Sequence, residues 1–150
     1  MYKWYEKANI CVAFVEDFEV GPDYSALSRC RWFTRGWTLQ ELLAPKVCQF
    51  CDKHWASFGT RYSLAQEISL ITGIPRPYLR NERPIHDACV AQRMFWASRR
   101  HTTRPEDVAY SMLGMFDANM PLLYGEGGLR AFDRLQRQIL TQPRDDTIFC

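Results

Sequence analysis

The chain has 150 residues, of which 47% are hydrophobic and 24% are charged, and its formal net charge at pH 7 is +2. This content suffices for one globular domain with a buried core, whereas the near-neutral charge argues against nucleic acid as a partner. No apolar stretch approaches the roughly 18 residues that cross a bilayer, and no leader opens the chain, so we expect a cytoplasmic protein without a membrane partner.

The first third of the chain alternates between helical and strand patterns. Residues 1–8 have apolar side chains at helical spacing, and residues 10–15 form an unbroken apolar run typical of a strand covered on both faces. Residues 37–44 predict a helix, which Pro45 ends, and residues 46–51 predict a second strand. This alternation predicts an α/β fold.

The segment 28–45 is the most unusual part of the sequence, because it combines two tryptophans, three arginines and a glutamate. Trp37 and Glu41 are four residues apart and share one face of the predicted helix. A carboxylate beside an indole and several guanidinium groups is a candidate site. The spacing of Thr38 and Glu41 also matches a capping box, in which Glu41 has a structural role. Both interpretations stay open at this point.

Six cysteines raise the question of a metal site. The only ligand-like cluster is Cys48-x-x-Cys51-x-x-His54. Zinc usually requires a second ligand pair, and the cysteines also lie in a predicted strand. We therefore interpret Cys48 and Cys51 as buried strand thiols and predict no metal.

The part of the chain after residue 62 is mainly helical by pattern. A helix after Thr103 has an expected buried stripe of Val108, Met112, Met115 and Phe116. The glycine-rich segment 121–128 lacks the lysine and hydroxyl residue of a phosphate-binding loop, so we interpret it as a structural turn. A last helix is expected to bury Leu129, Phe132, Leu135 and Ile139.

Several sequence blocks, in order along the chain, resemble the fungal heterokaryon-incompatibility (HET) domain. The blocks are MYKWY at 1–5, RWFTRGWTLQELLAP at 31–45, ITGIP at 71–75, AQRMFWA at 91–97, TTRPEDVAYS at 102–111, MPLLYGEG at 120–127, AFDRLQ at 131–136 and DDTIF at 145–149. The resemblance implies a single, partial HET domain over residues 1–150, with an α/β part over 1–62 and a mainly helical part over 63–150. It also implies a TIR- or flavodoxin-like parallel-sheet core that lacks the first strands of the family pattern.

The resemblance carries expectations about function as well. HET domains induce cell death when genetically different fungal individuals fuse, a form of non-self recognition and innate immunity. They have been likened to TIR domains, many of which cleave NAD with a glutamate on the helix after the third strand. Carried over to this chain, Glu41 is catalytic, and Trp37, Arg31 and Arg35 bind the substrate. NAD is then a substrate, no cofactor is expected, and this segment alone is expected to be inactive.

Two alternatives to an enzyme remain open. One is a non-catalytic module that acts through self-association or signalling partners of an incompatibility system, and the other is an inactive truncated remnant. The remaining residues of the resembling blocks are predicted to be structural, with Glu106 and Asp107 explained by their place in a first helical turn. These predicted structural residues are Trp32, Gly36, Arg93, Trp96, Arg104, Glu106, Asp107, Tyr110, Tyr124, Gly125 and Glu126.

Overall fold

A three-stranded sheet organises the N-terminal part of the structure, a computed structural model that describes residues 1–142. Strands β1 (Ile10–Phe14), β2 (Val47–Cys51) and β3 (Ser57–Thr60) are ordered β1-β2-β3. β1 is parallel to β2, and β3 is antiparallel to it. The predicted α/β fold is therefore confirmed, and β3 is an addition that the sequence pattern did not indicate. The block at 145–149 and Cys150 lie outside the described residues.

Short helices surround this sheet and form the rest of the described chain. A helix at Thr38–Leu43, α2, follows β1 along the chain and leads into β2. Three short 3₁₀ segments span Ser25–Arg29, Arg31–Thr34 and Ile85–Asp87. The α-helices are α1 (Tyr2–Lys7), α2 (Thr38–Leu43), α3 (Ala65–Thr72), α4 (Arg76–Leu79), α5 (Val90–Ser98), α6 (Asp107–Tyr110) and α7 (Gly128–Leu140). Within residues 1–142, no helix combines the length and apolar character that crossing a membrane requires.

The core is centred on Phe50 of the middle strand, whose side chain is fully buried. Its ring lies 5.3 Å from that of Trp32 and 5.9 Å from that of Phe58, measured between centroids. Cys48 and Cys51 of the same strand are buried, which confirms the prediction of buried strand thiols. Among residues 1–142, no group of three or more metal-ligating side chains is close enough to hold an ion.

The prediction that the first strand is covered on both faces is wrong for the part of the chain described. Ile10 and Val12 of β1 are 51% and 50% exposed, whereas Ala13 is fully buried. At the end of the same face, the ring of Phe14 stacks on that of Trp55 at 4.3 Å between centroids. β1 is also an outer strand, and among the described residues β2 is its partner in the sheet.

Two predictions about buried residues in the helical part are also wrong. α6 ends at Tyr110, and the chain continues to Asp117 in turns instead of the expected longer helix. Val108 on α6 is consequently 41% exposed. Leu129 lies in the first turn of α7 and is 90% exposed, whereas Leu135 and Ile139 of the same predicted stripe are buried as expected, together with Ala131.

Candidate functional site

Helix α2 carries the candidate residues, and the side chain of Thr38 anchors its first turn. The Thr38 hydroxyl lies 2.5 Å from the carbonyl oxygen of Trp32 and 2.9 Å from that of Arg35. It also accepts a hydrogen bond of 2.8 Å from Nη1 of Arg100, which itself donates to the Arg35 carbonyl at 2.9 Å. The start of α2 is therefore tied both to the preceding 3₁₀ turn and to the segment after α5.

The capping-box interpretation of Glu41 is wrong. α2 has Trp37 at its N-cap position and no side-chain capping hydrogen bond. Thr38 does not cap because its hydroxyl contacts carbonyl oxygens. Glu41 accepts a hydrogen bond from the hydroxyl of Tyr5 on α1, with an O···O distance of 3.3 Å.

Glu41 is a half-buried carboxylate, and its charge state is set by opposing influences. Burial raises the pKa of the Glu41 carboxyl, while the Tyr5 hydrogen bond and the positive charges of Arg35 and Arg100 act to lower it. Arg100 is only 7% exposed, and burial lowers the pKa of its guanidinium to about 10. Burial and the neighbouring Glu41 raise the pKa of Tyr5 to about 12, so its hydroxyl remains a donor at neutral pH.

Two of the three predicted substrate-binding residues do not converge on Glu41. Arg31 is exposed and forms ion pairs with Glu16 at 2.9 Å and with Asp17 at 3.6 Å. Trp37 is half-buried and lines a cavity of about 510 Å³, and Glu41 is not among the residues that line it. Arg35, which is exposed, is the predicted substrate-binding residue whose charge acts on Glu41. Trp37 and Glu41 are one helical turn apart, but Trp37 lines the cavity and Glu41 contacts Tyr5.

The carboxylate of Glu106 holds the glycine-rich loop against α6. Its Oε1 accepts hydrogen bonds from the backbone N–H groups of Gly125 at 2.8 Å and Gly127 at 3.1 Å. Hydrogen bonds from its own backbone N–H and from those of the two glycines lower the pKa of Glu106. The glycines have φ angles of 99° and 88°, a left-handed region that glycine adopts without a steric penalty. The loop is therefore a structural turn fastened by a carboxylate.

Two tyrosines complete this attachment. Tyr124 donates its hydroxyl to Asp107 at 2.8 Å, and the guanidinium of Arg104 lies 4.6 Å from the centroid of its ring. Tyr110, which is 1% exposed, donates to Oε1 of Glu126 at 2.7 Å. The structure thus brings together seven of the residues that the sequence predicted to be structural.

Comparison with known proteins finds a fungal protein of similar sequence. The vegetative incompatibility protein HET-E-1 of Podospora anserina is 41% identical over 165 aligned positions, which cover 97% of this chain. The chain is related to a fungal incompatibility protein. This HET-related chain spans 12% of the length of that relative. No family model matches the chain, and no solved structure matches it.

Four further motif residues of the HET-related chain serve packing. Trp32 is 5% exposed in the aromatic core. Gly36 donates its N–H to the carbonyl of His101 at 2.9 Å, and a Cβ at this position would lie 2.4 Å from Cγ2 of Thr102. A larger residue at this position would therefore require the Thr102 side chain to move.

The other two motif residues, Arg93 and Trp96, lie on α5. Arg93 donates to the carbonyl of Met115 at 2.6 Å, and its guanidinium lies 4.7 Å from the ring centroid of Phe116. Trp96 contacts Tyr78 with 5.3 Å between ring centroids. α5 is thereby joined to the turns after α6 and to α4.

Three residues that bear on the site were not predicted from the sequence. Tyr5 was assigned only to a helical stripe, although its place in the MYKWY block was a signal. Arg100 carried no signal, because its contacts with Thr38 span 62 positions. Gln40 is 1% exposed and lies among buried leucines of α2. A polar residue within such an apolar segment was the signal in the sequence, because buried polar groups need hydrogen-bond partners.

Proposed function

We propose that this chain acts in fungal heterokaryon incompatibility as a cell-death effector that cleaves NAD, with Glu41 as the catalytic carboxylate. The relative named above is a vegetative incompatibility protein, which supports the biological role. The proposed NAD cleavage is supported by the environment of Glu41. Its carboxylate is half-buried on the helix that follows β1, makes no helix cap, and lies within the influence of two arginines.

The reaction places specific demands on such a carboxylate. Cleavage breaks the bond between C1′ of the ribose and the ring nitrogen of nicotinamide, whose bonding electrons leave with nicotinamide. Positive charge develops on the ribose, and a nearby carboxylate stabilises it. Water then attacks C1′, releasing ADP-ribose and a proton. Nicotinamide departs as a neutral molecule, so a strong general acid is unnecessary.

The ionised form of Glu41 is the one that this chemistry needs. Burial favours the protonated form, and the positive charges of Arg35 and Arg100 favour the carboxylate. Arg35 is exposed beside Glu41, and its planar guanidinium suits the oxygens of the pyrophosphate. Arg100 serves as a positioning residue, since it holds Thr38 and the Arg35 carbonyl at the start of α2.

The test uses the full-length protein expressed in fungal cells, with NAD measured as cell death proceeds. The unmodified protein is expected to deplete NAD, and Glu41→Gln is expected to abolish both depletion and death. Glu82→Gln, at an exposed position, is the matched control and should behave as the unmodified protein. Undiminished killing by Glu41→Gln with intact NAD pools would refute the catalytic role.

A second candidate, a self-associating module without catalysis, is favoured by the exposure of β1. This edge strand presents Ile10 and Val12 to solvent, and its outer edge is unpaired among the described residues. Exposed strand edges readily pair with another strand. In this case Val12→Lys would abolish both oligomers and death, whereas Glu41→Gln would abolish neither. Val20→Lys, at a similarly exposed position outside the strand, is the control.

A further inference from the structure

Two cysteines, Cys11 of β1 and Cys48 of β2, lie opposite each other on neighbouring strands. They are direct partners in the parallel register of the sheet. Register partners point to the same face of a sheet, so both thiols lie on the side that carries the buried Phe50. Cys51, by contrast, is the register partner of Phe14 on the other face. The sheet therefore holds Cys11 and Cys48 side by side.

The two side chains are in contact, and the backbone spacing suits a covalent bond between them. Both residues are free thiols, and a hydrogen bond joins their side chains. Neighbouring strands lie about 4.8 Å apart, and the Cα atoms of a disulfide are usually about 4.4 to 6.8 Å apart. A disulfide between Cys11 and Cys48 consequently requires little backbone movement. β1 is an outer strand of the sheet, which makes such an adjustment easier.

Burial and hydrogen bonding give the two thiols different reactivity. Cys11 is half-buried and within reach of a small oxidant, whereas Cys48 is fully buried. The hydrogen bond from Cys48 lowers the pKa of the Cys11 thiol, while burial and the nearby Glu41 act to raise it. The same hydrogen bond, together with burial, raises the pKa of Cys48. Because the thiolate is the reactive form, Cys11 is the thiol that meets an oxidant first.

Two other uses of a cysteine fit this pair less well. Among residues 1–142, no group of three or more metal-ligating side chains is placed to hold an ion, so the pair lacks the further ligands that zinc requires. Cys30 illustrates a cysteine that serves packing: it is buried, its Sγ lies 3.4 Å from the carbonyl oxygen of Ala26, and burial raises its pKa to about 11. Cys11 differs from Cys30 in its exposure and in its thiol neighbour.

We propose that Cys11 and Cys48 form a dithiol that a hydroperoxide oxidises reversibly to a disulfide. The Cys11 thiolate attacks one peroxide oxygen, the O–O bond breaks, and Cys11 becomes a sulfenic acid while the other oxygen leaves as water with the thiol proton. The Cys48 sulfur then attacks Sγ of Cys11 and displaces the sulfenic oxygen as a second water. Two thiols are oxidised as one hydrogen peroxide is reduced to two water molecules. This modification does not depend on the proposed NAD cleavage.

The test uses the purified full-length protein, treated with hydrogen peroxide in its folded state, alkylated and digested with trypsin. Trypsin separates residues 8–29, which contain Cys11, from residues 47–53, which contain Cys48 and Cys51. The expected product is a cross-linked pair of these peptides, bonded at Cys48, that replaces both alkylated peptides and is lost on treatment with dithiothreitol. Unreacted thiols, oxidation of Cys11 without a cross-link, a bond to Cys51 or a bond between two copies of the chain would each overturn the proposal.

Substitutions then assign the two roles. Cys51→Ala is the matched control on the same strand and should retain the cross-link. Cys48→Ala should lose it and leave Cys11 to oxidise further to the sulfinic acid, whereas Cys11→Ala should leave Cys48 reduced. Because Cys48 lies in the core and its replacement can impair folding, the peptide mapping of the unmodified protein is decisive on its own. Glu41→Gln should still form the cross-link, so failure of the NAD reaction and failure of this site are separate results.

Discussion

Arg61 fastens the end of α2, and its removal should cost more stability than any ordinary surface substitution. The side chain is 2% exposed, and its guanidinium donates to the carbonyl oxygens of Leu42 at 2.5 Å, Pro45 at 3.0 Å and Lys46 at 3.1 Å. Arg61→Met retains most of the apolar stem and removes all three donors. The Lys46 carbonyl keeps its hydrogen bond from Nδ2 of Asn81 at 3.1 Å, so two carbonyls are left unsatisfied. With about 1 kcal/mol for each, the free energy of unfolding should fall by about 2 kcal/mol.

Thermal unfolding followed by circular dichroism measures this effect, and the expected fall in Tm is roughly 4 to 8 °C for a chain of this size. Arg137→Met is the matched control, because the side chain of Arg137 is 74% exposed and forms an ion pair with Asp133 at the surface. Its cost should stay below about 1 kcal/mol. Arg61→Lys should recover only part of the loss, since lysine lacks the planar fork. Equal losses for Arg61→Met and Arg137→Met would show that the Arg61 hydrogen bonds do not stabilise the end of α2.

Two further predictions concern the carboxylates of the described chain. Burial raises the pKa of Glu41 above its value in the unfolded chain, so its ionisation subtracts stability as pH rises from the ordinary carboxyl range through the raised pKa. Glu41→Gln should therefore raise Tm at neutral pH and flatten this decline, and a lower Tm would contradict the account. Glu106→Ala should accelerate hydrogen exchange at the amides of Gly125 and Gly127 while leaving β2 unchanged. Unaltered exchange at the two glycines would contradict the role given to Glu106.

The strand–helix–strand order of the first third was predictable because its signals are local. Two apolar runs and a helix stopped by Pro45 specify β1, α2 and β2 without reference to distant residues. β3 was missed because Ser57–Thr60 has no apolar alternation and contains a glycine. Its strand conformation depends on antiparallel pairing with β2, which is a tertiary effect.

The candidate site was predictable in its residues but not in its contacts. Thr38 matched a capping pattern, yet its hydroxyl contacts the carbonyl of Trp32 and accepts a hydrogen bond from Arg100 instead of capping the helix. Arg31 was predicted at the site, but nearby Glu16 forms an ion pair with it. Gln40 was overlooked because the sequence alone does not reveal which side of a short helix faces a cavity.

Direct product analysis with the purified full-length protein tests the proposed cleavage of NAD at Glu41. Nicotinamide and ADP-ribose are expected to accumulate in equal amounts, and Glu41→Gln is expected to slow their release by about 100-fold or more while the folded state is retained. Failure of the unmodified protein to release nicotinamide, or equal release by Glu41→Gln, would contradict the claim.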